Sequence, residues 1–259
     1  MKVKSKKLKF TSRDSLKLHG TLVVPASEVR GVMLMVHGIT SDREEWGIFE
    51  HLALEVAKEG VASLRFDYRG HGESELDEQL ITLSGILSDI TSAWQELEKA
   101  TGAADVRRYI VGSSFGAGLA YAAASRDGRF DRAFLIAPVF DYLADIDHCA
   151  PKWRHELKRK DQFKYNDLAL GRALANEALY FDPLAGPAVP TTIFHGTKDT
   201  DVVIDLSRAV AARHPGIDLV EMKGAGHVMN VPEDYDFEDE KSWDYVRDLA
   251  RSVRGTVAK

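Results

Sequence analysis

Short apolar runs alternate with stretches of helical periodicity along most of this chain. The runs are rich in β-branched residues and occupy positions 32–36, 61–66, 108–112, 132–136 and 191–195. In most of the intervals, apolar residues recur every three or four positions, as they do on the buried face of a helix. This alternation predicts a parallel sheet covered by helices, and it places the chain in the α/β class.

The sequence of the N-terminal region predicts antiparallel strands. Residues 5–24 read as two strands joined near Arg13-Asp14, which would form an antiparallel edge of the sheet. The lysines of the first nine residues resemble the charged start of a targeting peptide, but no apolar run of that length follows. We therefore interpret them as the charged face of an edge strand: Lys2, Lys4, Lys6, Lys7 and Lys9.

Residues 139–184 interrupt the alternation. This segment contains no good strand, has leucine and alanine content typical of helices, and carries a basic run at 152–160. A connection this long inside a compact domain is usually a functional lid or a disordered loop, and the composition favours the lid. We predict an α/β core of residues 1–138 and 185–259, with an inserted helical cap at 139–184.

Composition excludes several classes of function. The formal net charge of −6 over 259 residues argues against a nucleic-acid partner, because phosphate binding depends on clustered lysine and arginine. The apolar run at 32–36 is far too short to span a membrane. The single cysteine, Cys149, cannot form an intrachain disulfide, so a reduced cytoplasm is the predicted location and Cys149 is expected to be inert.

One Gly-x-Ser-x-Gly pattern occurs, at Gly112-Ser113-Ser114-Phe115-Gly116. On its own the pattern is weak, because a plain Gly-Ser turn would also produce it. Here it follows the buried strand pattern at 108–111 and precedes a helical one. Strand, sharp turn and helix form the setting in which a nucleophilic serine is exposed above a sheet. The pattern predicts that Ser114 is the nucleophile.

A serine hydroxyl needs a base, and the base needs a group that orients it. His227 is the best base, because it lies in the small-residue loop Gly224-Ala225-Gly226 after an apolar run. The other histidines are interpreted as structural. For the acid, Asp199 and Asp201 both follow the strand pattern at 191–195, and spacing alone does not separate them.

Five motifs in order resemble α/β-hydrolases of the monoacylglycerol-lipase and serine-aminopeptidase-like type: His37-Gly38-Ile39, 67–74, the 112–116 turn, 196–202 and Gly226-His227. The resemblance implies an α/β-hydrolase fold, with a mostly parallel eight-stranded sheet, helices on both faces and an inserted helical cap. It also implies Asp199 rather than Asp201 as the acid. The cap matches no subfamily pattern, and Val203 stands where these enzymes often have proline.

The same resemblance implies an oxyanion hole made by the backbone N–H groups of Ile39 and Phe115. It also implies that the 67–74 segment forms a rigid turn beneath the site. Metal and nucleotide motifs are absent from the sequence: there are no paired cysteines, no His-Glu-x-x-His and no phosphate-binding glycine loop. We therefore expect no cofactor and no metal.

These features predict a serine carboxylesterase that cleaves small or medium acyl esters through an acyl-enzyme on Ser114. One alternative is an acyl thioesterase acting on acyl-CoA or an acylated protein, in which the basic run with Lys158, Arg159 and Lys160 would receive phosphate. We favour a solvated cap face as the interpretation of that run. An alternative of another class is a ligand-sensing receptor that keeps the hydrolase fold with slow turnover.

Overall fold

Eight strands form one sheet in a computed structural model of the chain, which describes residues 3–103 and 105–259. The strand order is β1-β2-β4-β3-β5-β6-β9-β10. Strands β1 and β2 pair antiparallel, as do β2 and β4, and all other neighbours are parallel. The strands are β1 (Val3–Thr11), β2 (Lys17–Pro25), β3 (Gly31–Val36), β4 (Val61–Asp67), β5 (Arg107–Ser113), β6 (Arg132–Ile136), β9 (Thr191–Gly196) and β10 (Ile217–Met222).

These bounds confirm the mostly parallel eight-stranded sheet and its antiparallel edge. The exposed lysines of β1 lie on the outermost strand, where a charged face discourages pairing with another chain. Lys2 of the basic N-terminal run lies outside the described residues.

Helices cover both faces of the sheet. They are α1 (Ile48–Ala57), α2 (Leu83–Thr101), α3 (Ser114–Asp127), α4 (Tyr142–Cys149), α5 (Trp153–Leu157), α6 (Arg172–Ala178), α7 (Ile204–Arg213) and α8 (Glu240–Val257). Helices α1 and α8 bury Phe49, Leu52 and Leu249 in one apolar core. Helices α2 and α3 bury Trp94 and Leu119 in a second core, on the other side. Burial on both faces explains why the central strands are apolar throughout rather than alternating.

The ends of α2 show how local sequence sets an element. Thr82 stands at the N-cap, and its hydroxyl accepts the Gly85 N–H at 3.0 Å. Gly102 ends the helix in the left-handed region at φ 62°, which glycine adopts without a steric penalty. Together these two residues confine the apolar stripe of α2 to the part of the chain that packs on the sheet.

The segment 139–184 is not purely helical. It contains α4, α5 and α6, but also the antiparallel hairpin of β7 (Gln162–Tyr165) and β8 (Leu168–Gly171). The expectation that this segment holds no strand is therefore wrong. Phe163 and Tyr165 are buried while Lys164 is exposed, so the alternation is present, but over only four residues. Asn166, at φ 51°, makes the turn. Such short strands give too weak a periodic signal to detect in a sequence.

No helix within the described residues has both the length and the apolar character needed to cross a bilayer.

Candidate active site

Ser114 lies at the junction between β5 and α3. Its φ of 51° falls in the left-handed region, which residues with a Cβ rarely adopt. The chain therefore leaves the sheet in a sharp turn, and the serine projects above the carboxyl ends of the strands, as a nucleophile elbow requires.

The packing around Ser114 leaves no room for a side chain at Gly112 or Gly116. A Cβ at Gly116 would lie 2.1 Å from the carbonyl oxygen of His37, and one at Gly112 would lie 2.6 Å from the Cα of Ala117. Both distances are shorter than any tolerable contact. The glycines thus let α3 pack directly against β5 and against the loop that follows β3.

His227 joins Ser114 to Asp199. Its Nε2 lies 2.8 Å from the Ser114 Oγ, and its Nδ1 lies 2.8 Å from the Asp199 Oδ2. A carboxylate can only accept, so Nδ1–H donates to Asp199 and Nε2 is left to accept the Ser114 hydroxyl proton. The structure brings the three residues named from the sequence into one hydrogen-bonded chain.

The structure distinguishes the surroundings of Asp199 from those of Asp201, which their spacing in the sequence could not do. Asp199 is buried, and its Oδ1 accepts the backbone N–H groups of Asp201 and Val202, both at 2.9 Å. Asp201 is exposed, and it serves this arrangement through its backbone. Burial alone would raise the pKa of Asp199, but hydrogen bonds from His195 and His227 hold it well below its usual range. Asp199 therefore stays ionised beside the imidazole.

His195 supports the acid. Its Nε2 lies 2.8 Å from the Val202 carbonyl oxygen and 3.1 Å from Asp199 Oδ2, so Nε2–H donates to both. Its Nδ1 accepts the hydroxyl of Ser207 at 2.9 Å. This is the structural role expected of the histidine.

The loop that carries His227 is closed by a short backbone hydrogen bond, from Gly226 N–H to the Asn230 carbonyl oxygen at 2.7 Å. Burial lowers the pKa of His227. The hydrogen bond to Asp199 and the charges of Asp199, Asp201 and Glu45 raise it by a larger amount, so the net shift is upward. The surroundings therefore stabilise an imidazolium, which is the species that a base becomes after it takes a proton.

The two expected oxyanion donors belong to the residue that follows Ser114 and to a residue in the loop after β3. Phe115 is in the first turn of α3, where helical geometry leaves N–H groups without an acceptor in the helix. Ile39 is in the loop after β3 and lines the same cavity as Ser114. The 67–74 turn holds that loop, because His71 Nε2–H donates to the Ile39 carbonyl oxygen at 2.5 Å.

The 67–74 segment is the tight internal turn that the sequence predicted. Gly70 and Gly72 have φ of 74° and 53°. Asp67 accepts the Arg43 backbone N–H at 2.8 Å, and Arg69 is paired with buried Asp89 at 2.7 Å. These contacts lock the turn beneath the loop that carries Ile39.

Comparisons with known proteins agree with this geometry. Residues 33–239 match the model of a family described as the alpha/beta hydrolase family. The chain belongs to the α/β-hydrolase family. A comparison with curated proteins finds no significant match.

Solved structures share the fold of this α/β-hydrolase at low identity. Est1E from Butyrivibrio proteoclasticus, solved with ferulic acid bound, has a TM-score of 0.80 at 20% identity, over 97% of this chain and 100% of its own. An esterase from Pyrococcus furiosus has a TM-score of 0.71 at 18% identity, over 98% and 90%. Mouse alpha/beta hydrolase domain-containing protein 10 has a TM-score of 0.73 at 20% identity, over 97% and 98%.

A cavity of about 760 Å³ opens in front of Ser114 in this hydrolase. The core contributes one side of it, and the 139–184 segment contributes the other. The core residues include Ile39, Trp46, Ser114, Asp201, His227 and Tyr235, and the residues of the 139–184 segment are Asp145, His148, Cys149, Tyr165, Asn166, Asp167 and Leu168.

The 139–184 side of the cavity is acidic, which the basic run at 152–160 does not indicate. The Tyr165 hydroxyl donates to Asp145 Oδ2 at 2.6 Å. Burial raises the pKa of Asp145 to about 6, so this carboxyl titrates near neutral pH. Burial also raises the pKa of Cys149 to about 11, which keeps its thiol protonated and a poor nucleophile.

Glu45 is a second residue that sequence reasoning missed. It is 1% exposed, and its Oε2 accepts the Gly38 N–H at 2.8 Å, next to the loop that carries Ile39. It lies in the polar run Ser41-Asp42-Arg43-Glu44-Glu45, which reads as a solvated loop. No cluster of histidine, cysteine or acidic side chains suited to a metal ion occurs in the described part of the chain.

Proposed function

We propose that this α/β-hydrolase is a serine carboxylesterase that forms an acyl-enzyme on Ser114. The observation that carries the proposal is the position of His227, which bonds Ser114 on one side and Asp199 on the other, each at 2.8 Å, at the mouth of a cavity. This is the arrangement that activates a serine for attack on a carbonyl carbon.

The proposed reaction follows from these contacts. Ser114 Oγ attacks the ester carbonyl while its proton passes to His227 Nε2. The carbonyl oxygen becomes an oxyanion, which the N–H groups of Ile39 and Phe115 stabilise. His227 then gives the proton to the departing alcohol, leaving the acyl group on Ser114. Water, deprotonated by His227, attacks that acyl group, and the carboxylic acid leaves as Ser114 is restored.

The cavity supports a small or medium acyl ester as the substrate. A volume of about 760 Å³ is within the range of small-molecule sites. Est1E is described with ferulic acid bound, and the Pyrococcus furiosus protein is described as an esterase. We further propose that the 139–184 segment is a cap, because seven of its residues line the same cavity as Ser114: Asp145, His148, Cys149, Tyr165, Asn166, Asp167 and Leu168.

The structure gives no support to the thioesterase alternative. Lys158, Arg159 and Lys160 are exposed and do not line the cavity, and Lys160 is paired with Glu156 at 3.4 Å. Asp145, Asp167 and Asp201 line the cavity, where carboxylates would repel the phosphates of coenzyme A. A neutral ester is therefore favoured over a coenzyme A thioester.

The central test is ester turnover by Ser114→Ala and His227→Ala, measured with a chromogenic acetate or butyrate ester. We expect kcat to fall by about 10⁴-fold or more in each variant, because neither the nucleophile nor the base can be replaced. Near-native rates in either variant would end the assignment. Repeated turnover by the wild-type protein separates an esterase from a receptor that is acylated once and releases no product.

The substrate class needs a second measurement. One acyl group should be compared as an alkyl ester and as a coenzyme A thioester, followed by a series of esters of increasing acyl length. We expect higher kcat/KM for the alkyl ester and a maximum at short or medium chains. A preference for the coenzyme A thioester would favour the alternative.

A further inference from the structure

The buried carboxyl of Glu45 has no counter-ion in the described residues. Its neighbour Glu44 is paired with Arg65 at 2.9 Å, whereas no lysine or arginine lies within ion-pair distance of Glu45. A carboxyl is rarely buried unless other groups satisfy it. Here the satisfying groups are hydrogen-bond donors: the Gly38 N–H at 2.8 Å and the side chains of Ser41 and Ser113.

The backbone is bent unfavourably to bury this side chain. Glu45 and Trp46 have φ of 45° and 57°, and Gly47 follows at 86°. Two consecutive left-handed residues with a Cβ are unusual outside functional sites. This strained bend accompanies the burial of the Glu45 carboxyl against the loop after β3, where it meets the Gly38 N–H.

Gly38 lies between Glu45 and Ser114. A Cβ at Gly38 would lie 3.4 Å from the Ser114 Cβ and 3.5 Å from Glu45 Oε1. His37 Nδ1–H donates to the Gly38 carbonyl oxygen at 2.7 Å, so both backbone polar groups of Gly38 are held by side chains. In a trans peptide the C=O and the N–H point in opposite directions. The Ile39 N–H shares its peptide with the Gly38 carbonyl oxygen, which His37 holds, and Glu45 holds the preceding peptide through the Gly38 N–H. The two bonds together fix the backbone of Gly38, and with it the direction of the Ile39 N–H.

We propose that Glu45 is a positioning residue for the oxyanion hole: its carboxylate holds the Gly38 N–H, and thereby keeps the Ile39 N–H aimed at the oxygen of an acyl group on Ser114. The inference rests on the proposed esterase function. Glu45 does not line the cavity in front of Ser114, and the Ser114 hydroxyl is bonded to His227, so Glu45 acts through the loop.

Burial raises the pKa of Glu45, whereas its hydrogen bonds with Gly38, Ser113 and Ser41 and the charge of His227 lower it. Once ionised, Glu45 gives a readout that a purely structural role would not move. Glu45 is one of the negative groups that raise the pKa of His227, together with Asp199 and Asp201. Asp145 on the 139–184 side also interacts with His227. The other three carboxyls stay in place when Glu45 is replaced, so a shift in the acid limb of the kcat/KM profile reports the charge of Glu45.

The test compares Glu45→Ala, Glu45→Gln and the control Glu50→Gln. Glutamine keeps an oxygen that accepts the Gly38 N–H but carries no charge. Glu50 is exposed at the start of α1, so its replacement removes one negative charge a turn away from the loop. Thermal melting of each variant monitors the fold, and kcat and KM are measured with one chromogenic ester from pH 5 to 9.

We expect kcat of Glu45→Ala to fall by about 10²-fold or more, comparable to losing an oxyanion donor, with KM within about threefold. Glu45→Gln should recover most of that loss, and its acid limb should move to lower pH. Glu50→Gln should match the wild type. If Glu45→Ala does not fold, Glu45→Gln carries the test through two measurements. One is the acid limb of its kcat/KM profile, and the other is its inhibition by a trifluoromethyl ketone, which places an oxyanion in the hole.

An unchanged kcat in Glu45→Ala would overturn the proposal. The proposal would also fail if Glu45→Gln lost as much kcat as Glu45→Ala and its acid limb stayed at the wild-type pH. In the inhibitor test, Glu45→Gln keeps the acceptor for the Gly38 N–H and should bind the inhibitor about as tightly as the wild type, so much weaker inhibition or an unmoved acid limb would overturn the proposal. The Ser114→Ala variant keeps the two ideas apart. If Ser114→Ala retains native turnover, the esterase assignment fails. If it is inactive while both Glu45 variants behave like Glu50→Gln, only the role of Glu45 fails.

Discussion

Two carboxyls in the same site are treated in opposite ways by their surroundings. Asp199, on the core side, accepts two backbone N–H groups and bonds to His195 and His227, and these contacts hold its pKa well below normal. Asp145, on the 139–184 side, is bonded by Tyr165, and burial raises its pKa to about 6. The core therefore fixes a charge, whereas the opposite wall leaves a group that titrates under ordinary conditions.

The core side and the 139–184 side of the cavity also differ in how firmly their residues are held. On the core side, Gly38, Ile39 and Asp199 are held by side-chain hydrogen bonds with Glu45, His71 and His227 respectively. On the opposite side, Asn166 and Asp167 are exposed at the tip of a hairpin. Chemistry requires a fixed geometry, while substrate choice depends on the wall that the substrate meets. We therefore expect core substitutions to change kcat, and substitutions on the 139–184 side to change stability or substrate preference.

The largest expected effect distinguishes the two aspartates of the acid loop. Asp199→Asn should lower kcat by about 10⁴-fold, because an amide can hold His227 in the wrong tautomer and does not stabilise the imidazolium. Asp201→Asn is the matched control and should stay within about threefold, because its contribution to Asp199 is a backbone N–H. Steady-state kinetics with one ester measures kcat of both variants. Equal losses would contradict the assignment of Asp199.

A moderate effect is expected at Asp145, and it has a definite sign. Because its pKa is higher in the folded protein (about 6) than its ordinary value of 3.8, the folded state binds the proton more tightly. Its favourable contribution is present below about pH 4 and is lost as the pH rises through 6. Asp145→Asn should therefore raise the free energy of unfolding by about 2–3 kcal/mol at pH 7, and by well under about 1 kcal/mol at pH 4.

Thermal or urea unfolding at the two pH values measures this gain. Asp167→Asn is the control, because that side chain is fully exposed on the same side of the cavity and should leave the unfolding midpoint within about one degree. A gain in the Asp145 variant that is the same at pH 4 and pH 7 would show that titration of this carboxyl is not its cause.

The smallest effect is expected from the basic run. Neutralising Lys158, Arg159 and Lys160 to glutamine should leave kcat/KM for alkyl esters and for coenzyme A thioesters within about twofold. These side chains are in water and lie outside the cavity, where exposed charges contribute little. A selective loss with the coenzyme A thioester would instead revive the phosphate-binding alternative and place a recognition function on the surface of the 139–184 segment.

Seven of the eight strands of the sheet were predicted from apolar runs or alternating patterns, whereas β10 (Ile217–Met222) was noted only as an apolar run before the His227 loop. The elbow at Ser114 and the His227 loop were recognisable for a related reason: a strained turn between strand and helix demands glycine at fixed positions. Asp199 and Asp201 could not be separated by spacing, since both lie on one loop. Resemblance to known hydrolases favoured Asp199, and the structure shows which carboxylate points at the imidazole.

Local sequence thus determined the sheet, the nucleophile turn and the order of the site residues, because periodicity and glycine placement are local signals. Only the tertiary structure decided which acidic side chains are buried. Glu44 and Glu45 are adjacent and chemically identical, yet one is half-buried in an ion pair and the other lies behind the oxyanion loop. That outcome depends on a backbone bend and on Gly38, seven residues earlier, brought close by folding. The hairpin of the 139–184 segment and its acidic wall depend on tertiary packing in the same way.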